Sequence, residues 1–240
     1  MPDIVQGLWI GDRLSTMERL SITSFLAHGH PFHLYTYGEV AGVPAGTVVR
    51  DGEEILPASR IFSYPEEKSY AGFANWFRYQ LLFECGGWWV DVDVVCLAPF
   101  DALPELVVAT EQTPGGGPVP SVGLLRAPAG SPLMAEAAAI CAQKDPSTLR
   151  WGETGSRLMT ELLRRHGLAG CLLPPVVFCP LSPDQWVDVL DPEVVVRFGE
   201  ATRSVHLWRQ LWRGAGVDPD GDHPPDCLYR LLQKRYLAAG

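Results

Sequence analysis

Two aspartates one residue apart, Asp91 and Asp93, stand in the run Trp88-Trp89-Val90-Asp91-Val92-Asp93-Val94-Val95. In a strand, side chains alternate between faces, so both carboxylates share one face and Val90, Val92 and Val94 the other. Two like charges side by side in an apolar strand are unfavourable unless a cation or several hydrogen-bond donors neutralise them. Oxygen ligands with positions left for phosphate oxygens suit Mg²⁺ or Mn²⁺. The competing reading is an edge strand with both aspartates in water. Asn75 and Arg78, three residues apart, share a face of the helix that runs into this strand. There Arg78 can hold a phosphate or a sugar hydroxyl near the aspartates or, in the plainer alternative, pair with Glu84.

The stretch from Asn75 to Asp93 holds an arginine, then Gly86-Gly87-Trp88-Trp89, then Asp91-Val92-Asp93. It resembles the signature of the DXD glycosyltransferases of the GT-A fold. It looks most like glycosyltransferase family 32 and its bacterial capsular-polysaccharide relatives. More distantly, it is similar to the catalytic domain of the large clostridial glucosylating toxins and to α-1,4-galactosyltransferases. Trp9-Ile10-Gly11 resembles their first-strand motif, whose Trp stacks on the nucleotide base, and Thr154-Gly155 resembles the start of an acceptor-side helix. Val205-His206-Leu207-Trp208 resembles the C-terminal His-x-Trp whose His completes the metal shell.

The resemblance implies an α/β, Rossmann-like GT-A fold with a mixed, mostly parallel central sheet flanked by helices. It implies one domain over residues 1–240, with a nucleotide-sugar half (1–100) and an acceptor half (101–240). The implied reaction is metal-dependent, retaining transfer of a hexose from a nucleotide-diphosphate sugar, a UDP-sugar in the relatives, to a hydroxyl of a glycan or lipid-linked acceptor, as in surface polysaccharide synthesis. Asp93 then binds the Mn²⁺ or Mg²⁺ directly, Asp91 contacts the ribose and the metal, and His206 completes the shell. Arg78 contacts the donor sugar or diphosphate, and Trp9, Asn75 and Trp208 line the nucleotide-sugar site. Asn75 departs from the pattern, because many relatives carry Asp there. An amide donates and accepts hydrogen bonds, but it brings no charge to stabilise a cationic sugar. No catalytic base is expected, since a leaving phosphate oxygen on the same face can take the acceptor proton.

Other readings of the same residues remain open. Asp91-Val92-Asp93-Val94-Val95 also fits the opening of aspartate-dependent phosphohydrolases, with Asp91 as nucleophile and Asp93 as general acid. That class needs a later Lys, and only Lys144 and Lys234 follow. A non-catalytic nucleotide-sugar-binding module is the other rival, motivated by Asn75. Trp9 and His206 each have a plain core reading. Asp218-Pro219-Asp220-Gly221-Asp222 opens like a calcium loop, but His223 and Tyr229 stand where the loop needs Gly and an acid.

The elements that must position these residues follow from apolar spacing. Residues 3–11 read as a first strand, and Ser15 with Glu18 as a capping box opening a helix that ends before Gly29. Residues 32–37 read as a second strand, so a β-α-β unit puts a parallel sheet in play. A short strand is expected at 47–50 within a Gly- and Pro-rich stretch. A helix from residue 69, with Phe73, Phe77, Leu81 and Leu82 on one face, stops at Gly86-Gly87. One strand over 88–95 follows. Further on come 107–108, a strand at 121–125, helices at 132–143 and 153–166, apolar runs at 176–178 and 194–196, a last strand at 204–208, a loop over 214–225 and a helix at 228–237.

The chain has 240 residues with 28 acidic and 19 basic side chains, a formal charge of −9, which disfavours non-specific nucleic-acid binding. Residues 197–240 reverse the sign, with seven basic groups against five acidic ones. Arg230, Lys234 and Arg235 give helix 228–237 a basic amphipathic character, suited to packing on the domain or to peripheral contact with a membrane carrying the acceptor. Six scattered cysteines form no C-x-x-C pair, so free thiols are expected rather than a zinc cluster. With no basic n-region before an apolar stretch and no run of 18 apolar residues, the chain reads as cytoplasmic.

Overall fold

The chain begins with the β-α-β unit that its apolar spacing predicts. The computed structural model describes residues 4–64 and 69–237. In it, strand β1 (Val5–Trp9) leads to helix α1 (Thr16–Ala27) and strand β2 (Phe32–Thr36), which pairs parallel to β1. The expected strand start at residue 3 lies outside the described residues. Ser15 closes the expected capping box, its backbone N–H and hydroxyl both donating to Glu18. Thereafter come β3 (Val48–Asp51), α2 (Ala71–Cys85), β4 (Gly87–Val90), β5 (Val94–Cys96), β6 (Val107–Gln112), β7 (Pro118–Ala127), α3 (Pro132–Ala142) and α4 (Leu158–His166). The remaining elements are β8 (Leu172–Leu173), α5 (Pro175–Phe178), β9 (Ser204–His206), α6 (Arg209–Gly214) and α7 (Leu228–Tyr236).

Seven strands form one sheet in the order β3-β2-β1-β4-β7-β6-β8. Every pair is parallel except the two made by β7, which runs antiparallel to β4 and to β6. The fold class is therefore the expected α/β one with a mixed, mostly parallel sheet. β5 and β9 make a separate two-stranded antiparallel sheet in which Val94 faces His206.

Strand alternation sends the paired tryptophans of β4 to opposite faces. Trp89 joins Phe77, Leu81 and Leu125 beneath α2, α3 and α4, whereas Trp88 joins Phe25, Phe32 and Leu124 beneath α1. A third cluster, with Val95, Val205, Trp212 and Tyr229, seats the small sheet, α6 and α7. This arrangement pins β4 between two cores, so the segment that leaves its C-terminal end starts from a rigid base.

Several local expectations are corrected. Residues 88–95 are not one strand but two, β4 and β5, in different sheets. The helix expected over 153–166 is regular only from Leu158, because Gly155 adopts a non-helical conformation with φ −92° and ψ −123°. The apolar run at 176–178 is a single helical turn and that at 194–196 belongs to no regular element. The 218–222 segment, expected to be a solvated loop, also ties down α1, with Asp220 Oδ1 accepting from Thr16 N at 2.7 Å. Helix α7 packs Tyr229, Leu232 and Tyr236 inward and leaves Leu231 46% exposed. No helix among the described residues is long and apolar enough to cross a membrane.

All six cysteines are free and only Cys85 is exposed. Burial pushes the thiols of Cys96 and Cys141 up to about 12, and burial with the nearby Glu84 raises that of Cys85. The thiolate is the nucleophile. Iodoacetamide at pH 8 is therefore expected to add one label to the native protein, slowly and at Cys85, with the other five reacting only after unfolding. Peptide mass spectrometry checks this, and a second native label would contradict it.

Candidate functional site

The large sheet ends where the two aspartates begin. Asp91 N still donates to Gly123 O of β7 at 2.8 Å, but Val94 N then turns back to Asp91 O at 3.0 Å and the chain departs into β5. The aspartates thus occupy a turn, not the expected strand. A continuous strand would hold the two carboxylates on one face with mutual repulsion, whereas the turn lets each find separate donors. Asp91 Oδ1 accepts from Trp89 Nε1 at 2.9 Å and from Arg78 Nη2 at 3.0 Å. Asp93 Oδ2 accepts from Arg209 N at 2.8 Å, and its Oδ1 lies 3.1 Å from His206 Nε2. The two carboxylates nevertheless line the same cavity.

Helix α2 aims its polar pair inward, and both Asn75 and Arg78 are buried. The Arg78 guanidinium lies 4.9 Å from the Trp89 ring centroid and also donates to Val122 O. Its acidic partner is Asp91, while Glu84 is engaged by Gln80. Asn75 Nδ2 donates to Thr154 Oγ1 at 3.2 Å, and Tyr79 OH donates to Thr154 O at 2.9 Å. The Thr154-Gly155 pair is thereby brought against α2. A Cβ at Gly155 would stand 3.3 Å from Asn75 Nδ2.

The segment after β9 supplies the remaining residues. His206 is buried, and the Trp208 ring packs on it with centroids 3.8 Å apart. Trp208 takes a left-handed conformation, φ 58° and ψ 49°. That bend turns the next N–H towards Asp93. The Arg209 side chain pairs with the fully buried Glu18 and stands 5.1 Å above the Trp9 ring. Arg209 was not legible as a site residue, because its two partners come from α1 and β1 at the far end of the chain.

The central cavity, of about 260 Å³, brings together Asn75, Arg78, Asp91, Asp93, His206 and Trp208. Sequence reasoning missed Glu111 of β6 on its wall, whose carboxyl is raised by burial against the opposing Ser121 hydrogen bond and His206 charge. A second cavity of about 420 Å³ meets the first at Arg78 and the aspartates and is lined by Trp9, Arg209 and Arg213. Trp9 and Trp208, expected together, stand in different cavities.

Electrostatics separate the two acids. Burial raises the Asp91 carboxyl, with the Asp93 charge adding and Arg78 opposing. Burial acts on Asp93 in the same direction, but the His206 charge and the Arg209 N–H outweigh it and leave that carboxyl below its usual range. Burial alone would keep the His206 ring neutral, yet Asp93 holds its pKa well above the ordinary imidazole value. Removing water magnifies both interactions.

Asp91, Asp93 and His206 each offer a donor atom, all within 4.8 Å of one another. Ligand bonds near 2.2 Å allow trans donors about 4.4 Å apart, so small rotations close the set on one cation. His206 Nε2, 3.1 Å from Asp93 Oδ1 and backed by the Trp208 ring, is the nitrogen on the acidic side, and it binds a cation only once its proton has left. Gly123 keeps the space open, since a Cβ there would lie 3.0 Å from Asp91 Oδ2 and 3.4 Å from His206 Cε1. These residues fit a divalent ion.

No family model matches the sequence, and no curated protein does. Solved structures do match the fold. A protein described as PaToxG glycosyltransferase superimposes with a TM-score of 0.51 at 16% identity, over 71% of this chain and 72% of that one. A transferase mutant gives 0.46 at 6% identity, over 68% and 85%. The chain shares its fold with a glycosyltransferase. Within that fold, the acidic cluster lies where β4 leaves the sheet, at the end of a parallel strand where open α/β sheets commonly place ligands.

Proposed function

We propose that this chain is a metal-dependent, retaining glycosyltransferase that moves a hexose from a nucleotide-diphosphate sugar, a UDP-sugar, to a hydroxyl of a glycan or lipid-linked acceptor. The observation that carries the reading is the meeting of Asp91, Asp93 and His206 at the junction of two cavities, one bearing Trp9 and three guanidinium groups. The family 32 resemblance of residues 75–93 supports it at the level of sequence. In this reading Asp93, Asp91 and His206 hold Mn²⁺ or Mg²⁺, for which the two carboxylates are suited ligands. The ion supplies charge neutralisation for the diphosphate as the nucleotide leaves.

The chain's own residues do the rest. Trp9 offers an indole face to the base, and Arg209 and Arg213 flank the path of the diphosphate. Arg78, held by Ala74 O, Val122 O and Asp91, sets a fixed positive charge beside the donor. Asn75 hydrogen-bonds sugar hydroxyls and Trp208 closes the wall beside His206. Catalysis then rests on fixing the acceptor hydroxyl beside the anomeric carbon and excluding water.

The test is a thermal-shift panel of UDP, GDP, CDP and ADP, each with Mn²⁺, Mg²⁺ or EDTA. The expected result is a rise with UDP and Mn²⁺ that EDTA removes. A ligand at a hundred times its Kd adds about 2.7 kcal/mol of stability, a shift such a panel resolves. Absence of a rise with every nucleotide and metal would sink the reading and direct assays to phosphatase substrates.

A further inference from the structure

Adjoining the central cavity lies a shallow trough lined by Trp151, Trp186, Gln210, Leu211, Gly214 and Ala215. It shares Trp151, Gln210 and Leu211 with the central cavity, but only Gln210 with the Trp9 cavity. The trough therefore opens mainly on the central cavity. A donor whose base sits at Trp9 and whose diphosphate lies at the aspartates directs its sugar towards the trough. We propose that this trough is an acceptor subsite for a neutral saccharide. The proposal rests on the transferase reading and names its acceptor class.

Three features support it. Trp151 is 42% exposed, a large indole left in water, and an exposed aromatic in a groove next to a reactive cavity marks a ligand surface. It is braced, not loose, because the buried Tyr64 ring packs against it at 5.2 Å. Trp186 is likewise backed by the fully buried Trp212 ring at 6.2 Å. The trough lining among the described residues carries no charged side chain, which selects against phosphorylated or ionic ligands and leaves an uncharged one. A pyranose fits that chemistry, since one ring face is a patch of C–H bonds that packs on an indole while its hydroxyls point outward. Gln210, whose Oε1 accepts from Arg213 Nη2 at 2.7 Å, stands where the trough meets the central cavity.

The experiment uses maltotriose, cellotriose and mannotriose as probes, added to the full chain in EDTA without nucleotide and followed by saturation-transfer-difference NMR and tryptophan fluorescence. At least one trisaccharide is expected to bind. Trp151→Ala should weaken that binding about tenfold, the equivalent of 1.4 kcal/mol, and Trp186→Phe by a smaller factor with its packing on Trp212 retained. Both variants should keep the wild-type melting temperature within a few degrees, and Trp186→Phe, at a residue outside the central cavity, should keep the UDP–Mn²⁺ shift unchanged. Failure of all three probes to bind, or binding indifferent to Trp151→Ala, would overturn the subsite. Transfer to a protein acceptor with the same KM in wild type and Trp151→Ala would overturn it too. Saccharide binding in a protein without any nucleotide–metal shift would uphold the sugar-binding surface and overturn the transferase reading beneath it.

Discussion

Asp93→Asn is expected to abolish the UDP–Mn²⁺ thermal shift and to lower turnover by at least about 10³-fold while leaving the fold intact. The amide keeps the shape of the carboxylate, so its oxygen still accepts from Arg209 N, the 2.8 Å bond that ties the aspartate turn to α6. What it loses is the charge. A divalent ion held by two carboxylates and an imidazole forfeits one of its anionic ligands, and removal of a single electrostatic stabiliser of this kind already costs about 10²–10³ in rate. His206, buried beside it, loses the counter-charge that holds its pKa up, so burial then favours the neutral ring and no unpaired buried cation remains. Calorimetric titration of UDP with Mn²⁺, paired with donor-hydrolysis kinetics, checks the expectation. Wild-type UDP affinity in the variant would remove Asp93 from the metal set.

Gly86→Ala is expected to cost about 3 kcal/mol or more of stability, which for a chain of this size is a fall of about 6–12 °C in melting temperature. Gly86 sits at φ 65° and ψ −166°, a region that residues with a Cβ adopt only at a cost of about 1–3 kcal/mol. An added Cβ would also stand 2.5 Å from Ala129 N and 3.2 Å from Ala127 O, both backbone atoms that cannot swing aside. The same residue closes α2 through its N–H to Leu82 O and accepts from Gln6 Nε2 at 2.8 Å. Any shift there moves the start of β4 and, four residues later, the aspartate turn. Gly117→Ala serves as the control, since nothing lies within 4 Å of a Cβ at that position. Urea titration of both variants decides the matter, and equal losses would refute the steric argument.

The Gly86 case shows what kind of information was legible along the chain. A glycine pair after an apolar helical face reads as a stop, and the structure supplies the left-handed φ and the close backbone approach that make it one. The capping box at Ser15 and Glu18, the apolar faces of α2 and the alternation that splits Trp88 from Trp89 were equally readable. Each depends on neighbours within four residues. The acidic pair, Asn75, Arg78 and His206 also stood out in the sequence, and the fold brings them around one cavity.

Tertiary structure decided the rest. Local alternation alone predicts that the strand runs through Asp93, but it stops at Val90, where the two carboxylates meet donors brought in by other elements: Arg78 of α2 for one, Arg209 and His206 for the other. Arg209 reaches Asp93 across 116 positions and Glu18 across 191, so no local pattern could mark it. Glu111 and Gly123 are ordinary strand residues until β6 and β7 place them beside the cluster, and Trp151 and Trp186 become one trough only when two loops meet at α6. The sequence by itself determined the opening β-α-β unit, the span of α2 and which residues have the chemistry for a cation, because periodicity and side-chain type are local properties. Where those groups point, which charges neutralise which, and how two cavities come to meet at the aspartates are set by packing between distant elements, and that belongs to the folded chain alone.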